Sequence, residues 1–267
     1  MTADSVVSVV IPTLNSESTI SSCLESIFSQ TYGNLEIIVV DGYSKDRTVS
    51  LARQRGATVL STTAKRSKAR NEGAEFAKGN YLIFIDSDME LYSSVIEQCV
   101  NESRAKGCDA VTVPEVSVGK GYWSRCIALE KKIYLDNQMI ESPCFFTKQC
   151  FRKLGGYDER LEAGEDWDLY SRLLQNKFSV GRTKSVIKHN EGRITLQKLF
   201  RKKYYYGKSI TEYSRTNPEL SRAQLSPLRF VNSSSISSMI NSPLYAIGMI
   251  LMKGIEFSGL IIGSISD

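Results

Sequence analysis

Two aspartates one residue apart, Asp86 and Asp88, close a short apolar run in the segment YLIFIDSDME at 81–90. A bounded apolar run of this length suits a strand buried on both faces of a parallel sheet. Ligands of open α/β sheets bind outside the carboxyl ends of such strands, which is where this Asp-Ser-Asp would stand. Two carboxylates there repel each other and lose hydration. A hard divalent cation bridging to substrate phosphates is the usual compensation, and a solvated acidic turn is the alternative that the pair alone leaves open. A second acidic group, Glu165, Asp166 and Asp168, opens the segment GEDWDLYSRLLQNKF. Its pattern predicts a helix, whose dipole favours acids in the first turn. His189 is the sole histidine, so Ser-His-Asp catalysis and multi-histidine metal sites are disfavoured.

The elements that must position these groups alternate through the first half of the chain. Strands are expected at 6–12, 35–40, 58–60 and 81–85. Helices are expected from Ser18 or Thr19 to about 30, from a Ser44 cap to about 55, and over 67–78 with Gly79 as the stop. This order implies a mostly parallel sheet with right-handed crossovers. Further on, the pattern predicts a helix over 94–105, a strand over 110–113, a helix over 122–136, a strand near 144–147, a turn at Gly155-Gly156, and a long basic helix over 195–216. The stretch 115–143 carries little other signal.

A chain of 267 residues, 42% hydrophobic and 24% charged, is ordinary for one large globular domain with or without an appendage. The N-terminal segment lacks the basic region of a signal peptide. The six cysteines are scattered without a Cys-x-x-Cys pair, which predicts reduced thiols in a cytosolic protein. The net charge of +5 conceals an asymmetry: 182–215 holds ten Lys and Arg against Glu191 and Glu212. Such a patch suits an anionic partner, whether a diphosphate, a membrane surface or a nucleic acid, and a solvated helix face is the plainer alternative.

The first strand ends in IPTLN and the second in VDGYSKDRT. No glycine-rich turn follows the first strand and no Walker A loop is present, so a bound nucleotide would not have its diphosphate cradled by glycines. A metal on Asp88, helped by Arg66 and Arg70, would serve instead. With these segments the chain resembles the family 2 glycosyltransferases of GT-A fold. The resemblance rests on IPTLN (11–15), VDGYSKDRT (40–48), RSKARNEGAEFAKGNYLIFIDSD (66–88), LGGYDERLEAGEDWDL (154–169) and KHNEGRITLQKLFRKKYYYG (188–207), and it covers roughly 5–210 in consistent order.

The resemblance implies an α/β GT-A fold with a Rossmann-like, mostly parallel central sheet flanked by helices. The catalytic domain would span 1–216, with a donor half of about 1–114 and an acceptor half of about 115–216. It implies an inverting, metal-dependent transfer of a hexosyl or N-acetylhexosaminyl group from a nucleoside diphosphate sugar, UDP- or GDP-linked, with Mn2+ or Mg2+. Thr13, Asn15 and Glu17 would line the nucleotide pocket, and Asp41 would accept hydrogen bonds from base or ribose. Arg66 and Arg70 would approach the diphosphate. Asp88 would hold the metal, with Asp86 on ribose or in the metal shell and His189 on metal or phosphate. Asp166 would be the general base, with Glu165 and Asp168 as local rivals, and Glu165 and Trp167 would stand on the acceptor side. The Gln-x-x-Arg-Trp motif of processive synthases is missing, since Arg172-Leu173-Leu174-Gln175 does not match it, so long polymer synthesis is disfavoured.

The remaining 217–267 form a C-terminal extension. Its apolar stretch 243–264 is interrupted by Lys253 and Glu256, three residues apart on one helical stripe. A helix or hairpin in a membrane interface is expected there, with packing on the catalytic domain or a true span as alternatives. The expected partners are a lipid-linked or saccharide acceptor, such as a polyprenyl-linked sugar or polyprenyl phosphate, and a membrane surface; no nucleic acid is expected. The place would be the cytoplasmic face of the membrane, with the protein peripheral. Two other functions stay open: a nucleotidyltransferase, disfavoured by the missing glycine-rich activation loop, and a non-catalytic nucleotide-sugar-binding partner of another transferase, disfavoured by the presence of both Asp88 and Asp166.

Overall fold

Val9 and Val10 are adjacent and both fully buried, which is what a strand covered on both faces requires. They belong to β1 (Val7–Thr13), followed by α1 (Ile20–Phe28), β2 (Leu35–Asp41), α2 (Thr48–Gln54), β3 (Thr58–Ser61), α3 (Arg66–Phe76) and β4 (Tyr81–Phe84). The computed structural model describes residues 5–135, 140–226 and 233–266. Continuing along the chain come β5 (Met89–Leu91), α4 (Val95–Lys106), β6 (Ala110–Thr112), β7 (Glu115–Val118), α5 (Tyr122–Tyr134), β8 (Phe145–Thr147), α6 (Lys148–Lys153), α7 (Glu165–Gln175), β9 (Val180–Arg182) and β10 (Ile187–Asn190). The C-terminal part is helical: α8 (Leu196–Thr216), α9 (Pro218–Leu225), α10 (Ser233–Ile240) and α11 (Pro243–Ile265).

The main sheet has the order β3-β2-β1-β4-β8-β6-β9. β8 runs antiparallel to both neighbours, and the other pairs are parallel. The expected mostly parallel sheet is therefore present with one reversed strand. On one face Val9, Ile11, Val39 and Ile83 pack with Leu24 and Ile27 of α1 and Ile96 and Cys99 of α4. On the other, Val10, Ile38, Val40 and Leu82 pack with Ala69 of α3, Phe151 of α6 and Leu169 and Leu173 of α7. Burial on both faces explains why these strands read as continuous apolar runs. All six cysteines are free, and all but the half-buried Cys144 are buried.

A second, three-stranded sheet has the order β5-β10-β7. Its strands carry neither long apolar runs nor clean alternation, and sequence pattern alone does not reveal them. The sheet folds the Asp86–Asp88 turn back against residues a hundred positions later. His189 is paired with Met89 across β10 and β5, and with Ser117 across β10 and β7.

Two local expectations need correction. Ser44 does not cap α2; its amide and hydroxyl both donate to Asp41, at 2.9 and 2.6 Å, and α2 starts at Thr48. Gly79 lies beyond the end of α3, where an added Cβ would meet the Ser8 hydroxyl at 2.6 Å. Close approach to β1 therefore requires the glycine. The expected end of α5 at Asp136 lies outside the described residues.

The C-terminal helix packs on the rest of the protein. Met249 and Met252 of α11 pack with Cys126, Leu129 and Ile133 of α5 and with Leu199 of α8. Where α8 and α11 cross, their backbones nearly touch. A Cβ on Gly263 would overlap the Tyr204 carbonyl, and one on Gly207 would overlap the Leu260 carbonyl. Larger side chains would force the helices apart. Among the described residues α11 is also the one helix long and apolar enough to cross a membrane.

Candidate active site

The carboxyl ends of β2, β1 and β4 form one edge, and the register sets Thr13 beside Asp41 there. Thr13 donates to the Asp41 carboxylate at 3.1 Å. Asp41 is buried, 1% exposed, and with Ser44 also on it, it stabilises the loop at this sheet edge. Asn15 has a positive φ of 51°, tolerated by asparagine better than by most residues. Its amide N–H donates to Ser44 Oγ at 2.8 Å and its side-chain oxygen accepts from Lys45 at 2.9 Å. Glu17 accepts from the Arg47 amide at 3.0 Å. The side chains expected to line the nucleotide pocket thus brace the 13–17 and 41–48 loops against each other.

The two aspartates after β4 differ sharply. Asp86 turns inward, where Arg70 Nη2 donates to it at 2.6 Å and Arg66 Nη1 lies 4.0 Å away. Burial works to raise the Asp86 carboxyl, but Arg70 and then Arg66 outweigh it and hold it well below the usual carboxylate range. Arg70 is itself buried and spans from Asp86 to Glu165 Oε1 at 3.0 Å. Arg70 thus braces two carboxylates while it also lines a cavity. Arg66 reaches Glu165 at 2.9 Å and keeps about a third of its side chain open.

Asp88 turns outward, with 42% of its side chain exposed, and its Oδ2 stands 3.4 Å from His189 Nε2. The strand register places them together, and the Asn190 amide donates to the Asp88 carbonyl at 2.9 Å. Behind the imidazole, Nδ1 faces Glu115 at 3.4 Å, Glu191 at 3.9 Å and Lys131 Nζ at 3.0 Å. Lys131 in turn pairs with Glu115 at 3.1 Å and Glu191 at 3.4 Å. Burial pushes the imidazole down, but Asp88 and Glu115 together raise it to about 10. Glu191 lies in one of the matching motifs; Glu115 and Lys131 come from a stretch with little sequence signal, and only the second sheet and α5 bring them here.

At the start of α7 three acids have three fates. Gly164, with φ 79°, turns the chain into the helix. Glu165 is buried and paired with Arg66 and Arg70. Asp168 is held by Arg172 at 2.6 Å and by Asn217 at 3.2 Å. Asp166 has no ion pair among the described residues; it accepts from the Trp167 amide at 2.9 Å and is open to a cavity. Partial desolvation, then the neighbouring Glu165 charge, raise its carboxyl to about 6 against the opposing pull of Arg70 and Arg66. Trp167 donates to the Ile140 carbonyl at 3.0 Å and half-covers the same wall.

The cavity has a volume of about 450 Å³, and Arg66, Arg70, Asp86, Glu165, Asp166, Trp167 and His189 all line it. Asp88 is not part of the lining but touches His189, which is. Thr13, Asn15, Glu17 and Asp41 lie outside the lining, along the sheet edge.

The family model for glycosyl transferase family 2 matches residues 8–153. The chain belongs to this family. Among curated relatives, this glycosyltransferase is 27% identical over 190 residues to the PGL/p-HBAD biosynthesis glycosyltransferases of Mycobacterium tuberculosis and Mycobacterium bovis, covering 67% of its own length and 74% of theirs. It is 31% identical over 182 residues to an uncharacterized glycosyltransferase of Haemophilus influenzae, covering 63% and 62%. Among solved structures it resembles a mannosyltransferase from Pyrobaculum calidifontis in complex with GDP-Man and Mn2+, with TM-score 0.62, 17% identity, and coverage of 97% of its own chain and 86% of the other. It also resembles S. aureus TarS, with TM-score 0.60, 16% identity and 97% coverage, while spanning 54% of that longer chain. A shorter TarS, residues 1–349, in complex with UDP-GlcNAc gives TM-score 0.58. At these identities the likeness shows the fold, and the glycosyltransferase has a GT-A fold. The family match ends at 153, so α7 with Asp166, and the whole α8–α11 region, lie beyond it.

Proposed function

We propose that this glycosyltransferase is inverting and moves a hexosyl or N-acetylhexosaminyl group from a UDP- or GDP-linked sugar to a hydroxyl of a lipid-linked saccharide at the cytoplasmic face of a membrane. The observation that carries this reading is the isolation of Asp166: of the three acids opening α7, it alone is unpaired among the described residues and faces the cavity that His189 and Asp86 also line. A carboxylate raised to about 6 by partial desolvation and the Glu165 charge is ionised at neutral pH yet basic enough to take a proton from an acceptor hydroxyl.

The donor class is supported by neighbours whose complexes hold GDP-Man with Mn2+ and UDP-GlcNAc. Asp88 and His189 fit a divalent ion such as Mn2+ or Mg2+. Asp88 offers a half-open carboxylate, and His189, 3.4 Å away, would ligate through Nε2 only on giving up the proton that Asp88 and Glu115 hold there, and would otherwise face phosphate as a cation; such an ion keeps waters and phosphate oxygens for its other positions. No group of three or more His, Cys, Asp or Glu with metal-site geometry occurs among the described residues, so protein would supply a minority of the ligands. When bound, the ion would neutralise the departing diphosphate. Asp86, engaged by both arginines, supports the turn that presents Asp88 and is poorly placed as a ligand. Arg66, partly open to the cavity, adds positive charge near the leaving group. Asp166 would accept the acceptor proton on the opposite side, with Trp167 as a wall that excludes water. Ser87 and Ser16, joined at 2.8 Å, tie the acidic turn to the loop that follows β1.

Membrane attachment is supported by α11. Its two charged residues turn inward, Lys253 pairing with Glu130 at 2.5 Å and with Glu256. The outer face therefore exposes uncharged side chains alone, among them Leu244, Ile247, Leu251, Ile261 and Ile265. Exposed Arg201, Lys202 and Lys208 on α8 suit anionic headgroups beside it. The test of the reaction is product analysis by NMR with UDP- and GDP-sugars and a lipid-linked saccharide. Inversion at the anomeric carbon is expected; retention, or transfer of a nucleotidyl group, would overturn it.

A further inference from the structure

Beyond Asp166 the cavity is walled by side chains of α8 and α11, and its far wall changes character. Trp167, Ile210, Leu225, Phe257 and Leu260 line its apolar part, beside a charged cluster of Lys203, Lys253, Glu130 and Glu256 that also lines it. The charges around Lys203 are unequally shared. Lys253 takes Glu130 at 2.5 Å and pairs closely with Glu256, whereas Lys203 reaches Glu256 only across 3.8 Å. Two carboxylates thus serve mainly one of two ammonium groups. Burial lowers the Lys203 ammonium, with Glu256 opposing, and an anion in the cavity would complete its surroundings. At the reacting end the situation is reversed: a bare phosphate nucleophile needs no base and would be repelled by ionised Asp166.

We propose that Lys203, Ile210, Phe257 and Leu260 form a subsite for the phosphate and first apolar carbons of a lipid-linked acceptor whose sugar hydroxyl reaches Asp166. The inference rests on the glycosyltransferase reading above and deepens it: the lipid that carries the saccharide is joined to it through phosphate, which Lys203 would meet. It also gives α11 two faces with separate tasks, the outer against lipid and the inner against the aglycone.

The experiment is calorimetric binding of farnesyl diphosphate and of farnesol to the full chain, with Mn2+ and the tightest-binding nucleoside diphosphate both saturating. Wild type should bind both. Lys203→Met should weaken farnesyl diphosphate by at least about tenfold, the loss of one charge-assisted contact, and leave farnesol unchanged. Phe257→Ala should weaken both ligands. Nucleoside diphosphate affinity should stay the same in either variant. Equal farnesyl diphosphate affinity in wild type and Lys203→Met, or no farnesyl diphosphate binding to wild type while the nucleoside diphosphate is saturating, would overturn the subsite. Should Lys203→Met not fold, Lys203→Gln and Phe257→Ala carry the same comparison. Failure of every nucleoside diphosphate to bind would sink the donor reading instead, and it is visible independently, since farnesyl diphosphate is then titrated alone.

Discussion

Asp166 and Glu165 are adjacent in the chain, yet their environments separate them completely. Glu165 stabilises two arginines that arrive from α3, and Asp166 meets the cavity. The resemblance already names Asp166, with Glu165 and Asp168 as rivals; what the sequence does not show is that both rivals are paired, by Arg66, Arg70, Arg172 and Asn217 from distant positions. Asp166→Asn should lower kcat by roughly 10²–10⁴-fold while nucleoside diphosphate affinity, measured by calorimetry, is retained. A carboxylic acid raised to about 6 is protonated below that pH and active as a base above it. We therefore expect kcat/KM to climb through about pH 6 and level off, with the rise absent from the residual rate of Asp166→Asn. The Asp86/Asp88 pair divides in the same way. Asp86→Ala leaves a buried Arg70 with one carboxylate fewer and should cost roughly 3 kcal/mol or more in urea denaturation. Asp88→Ala removes an outward side chain and should change stability by less than about 1 kcal/mol while weakening metal-dependent donor binding.

Whole elements were readable where burial on two faces wrote a continuous pattern. β1, β2, β4 and α3 fall within two residues of their expected bounds, and α7 ends three residues before the end of its expected segment. The three-residue β5 and the short β7 and β10 hold too few residues to show a period, though they place His189 against Asp88. The tail was ambiguous for another reason: glycines that let helices touch also occur in membrane segments. Here Gly207 and Gly263 seat α11 on α8, and packing on the catalytic domain is what the structure shows. Gly263→Val should destabilise the protein by about 1–3 kcal/mol through overpacking. The same denaturation series on Gly254→Ala, where a Cβ meets nothing within 4 Å, should show little change. Similar losses in both would argue against close helix contact.

For the molecule as a whole, the basic surplus of 182–215 is partly absorbed inside the protein. Arg182 pairs with Glu141 at 2.7 Å, Lys188 lies over the Tyr92 ring and Lys203 faces the cavity. The exposed remainder stands on α8, the helix against which α11 packs. Ile247→Glu with Leu251→Glu should release the protein from anionic liposomes in a sedimentation assay without altering nucleoside diphosphate affinity. Unchanged sedimentation would remove the outer face of α11 from membrane binding. Point changes are preferable to deletion from Pro243, which would strip the cover from Cys126, Leu129 and Leu199 and one wall from the cavity.

The most direct measurement is calorimetric titration of UDP, GDP and their sugars into wild type, Asp88→Ala and Asp166→Asn, each with and without Mn2+. We expect one base to bind in a metal-dependent way to wild type and Asp166→Asn, and Asp88→Ala to lose that dependence with at least part of the affinity. Binding that ignores the metal, or that is equal in wild type and Asp88→Ala, would contradict the assignment of Asp88 to the metal-held diphosphate.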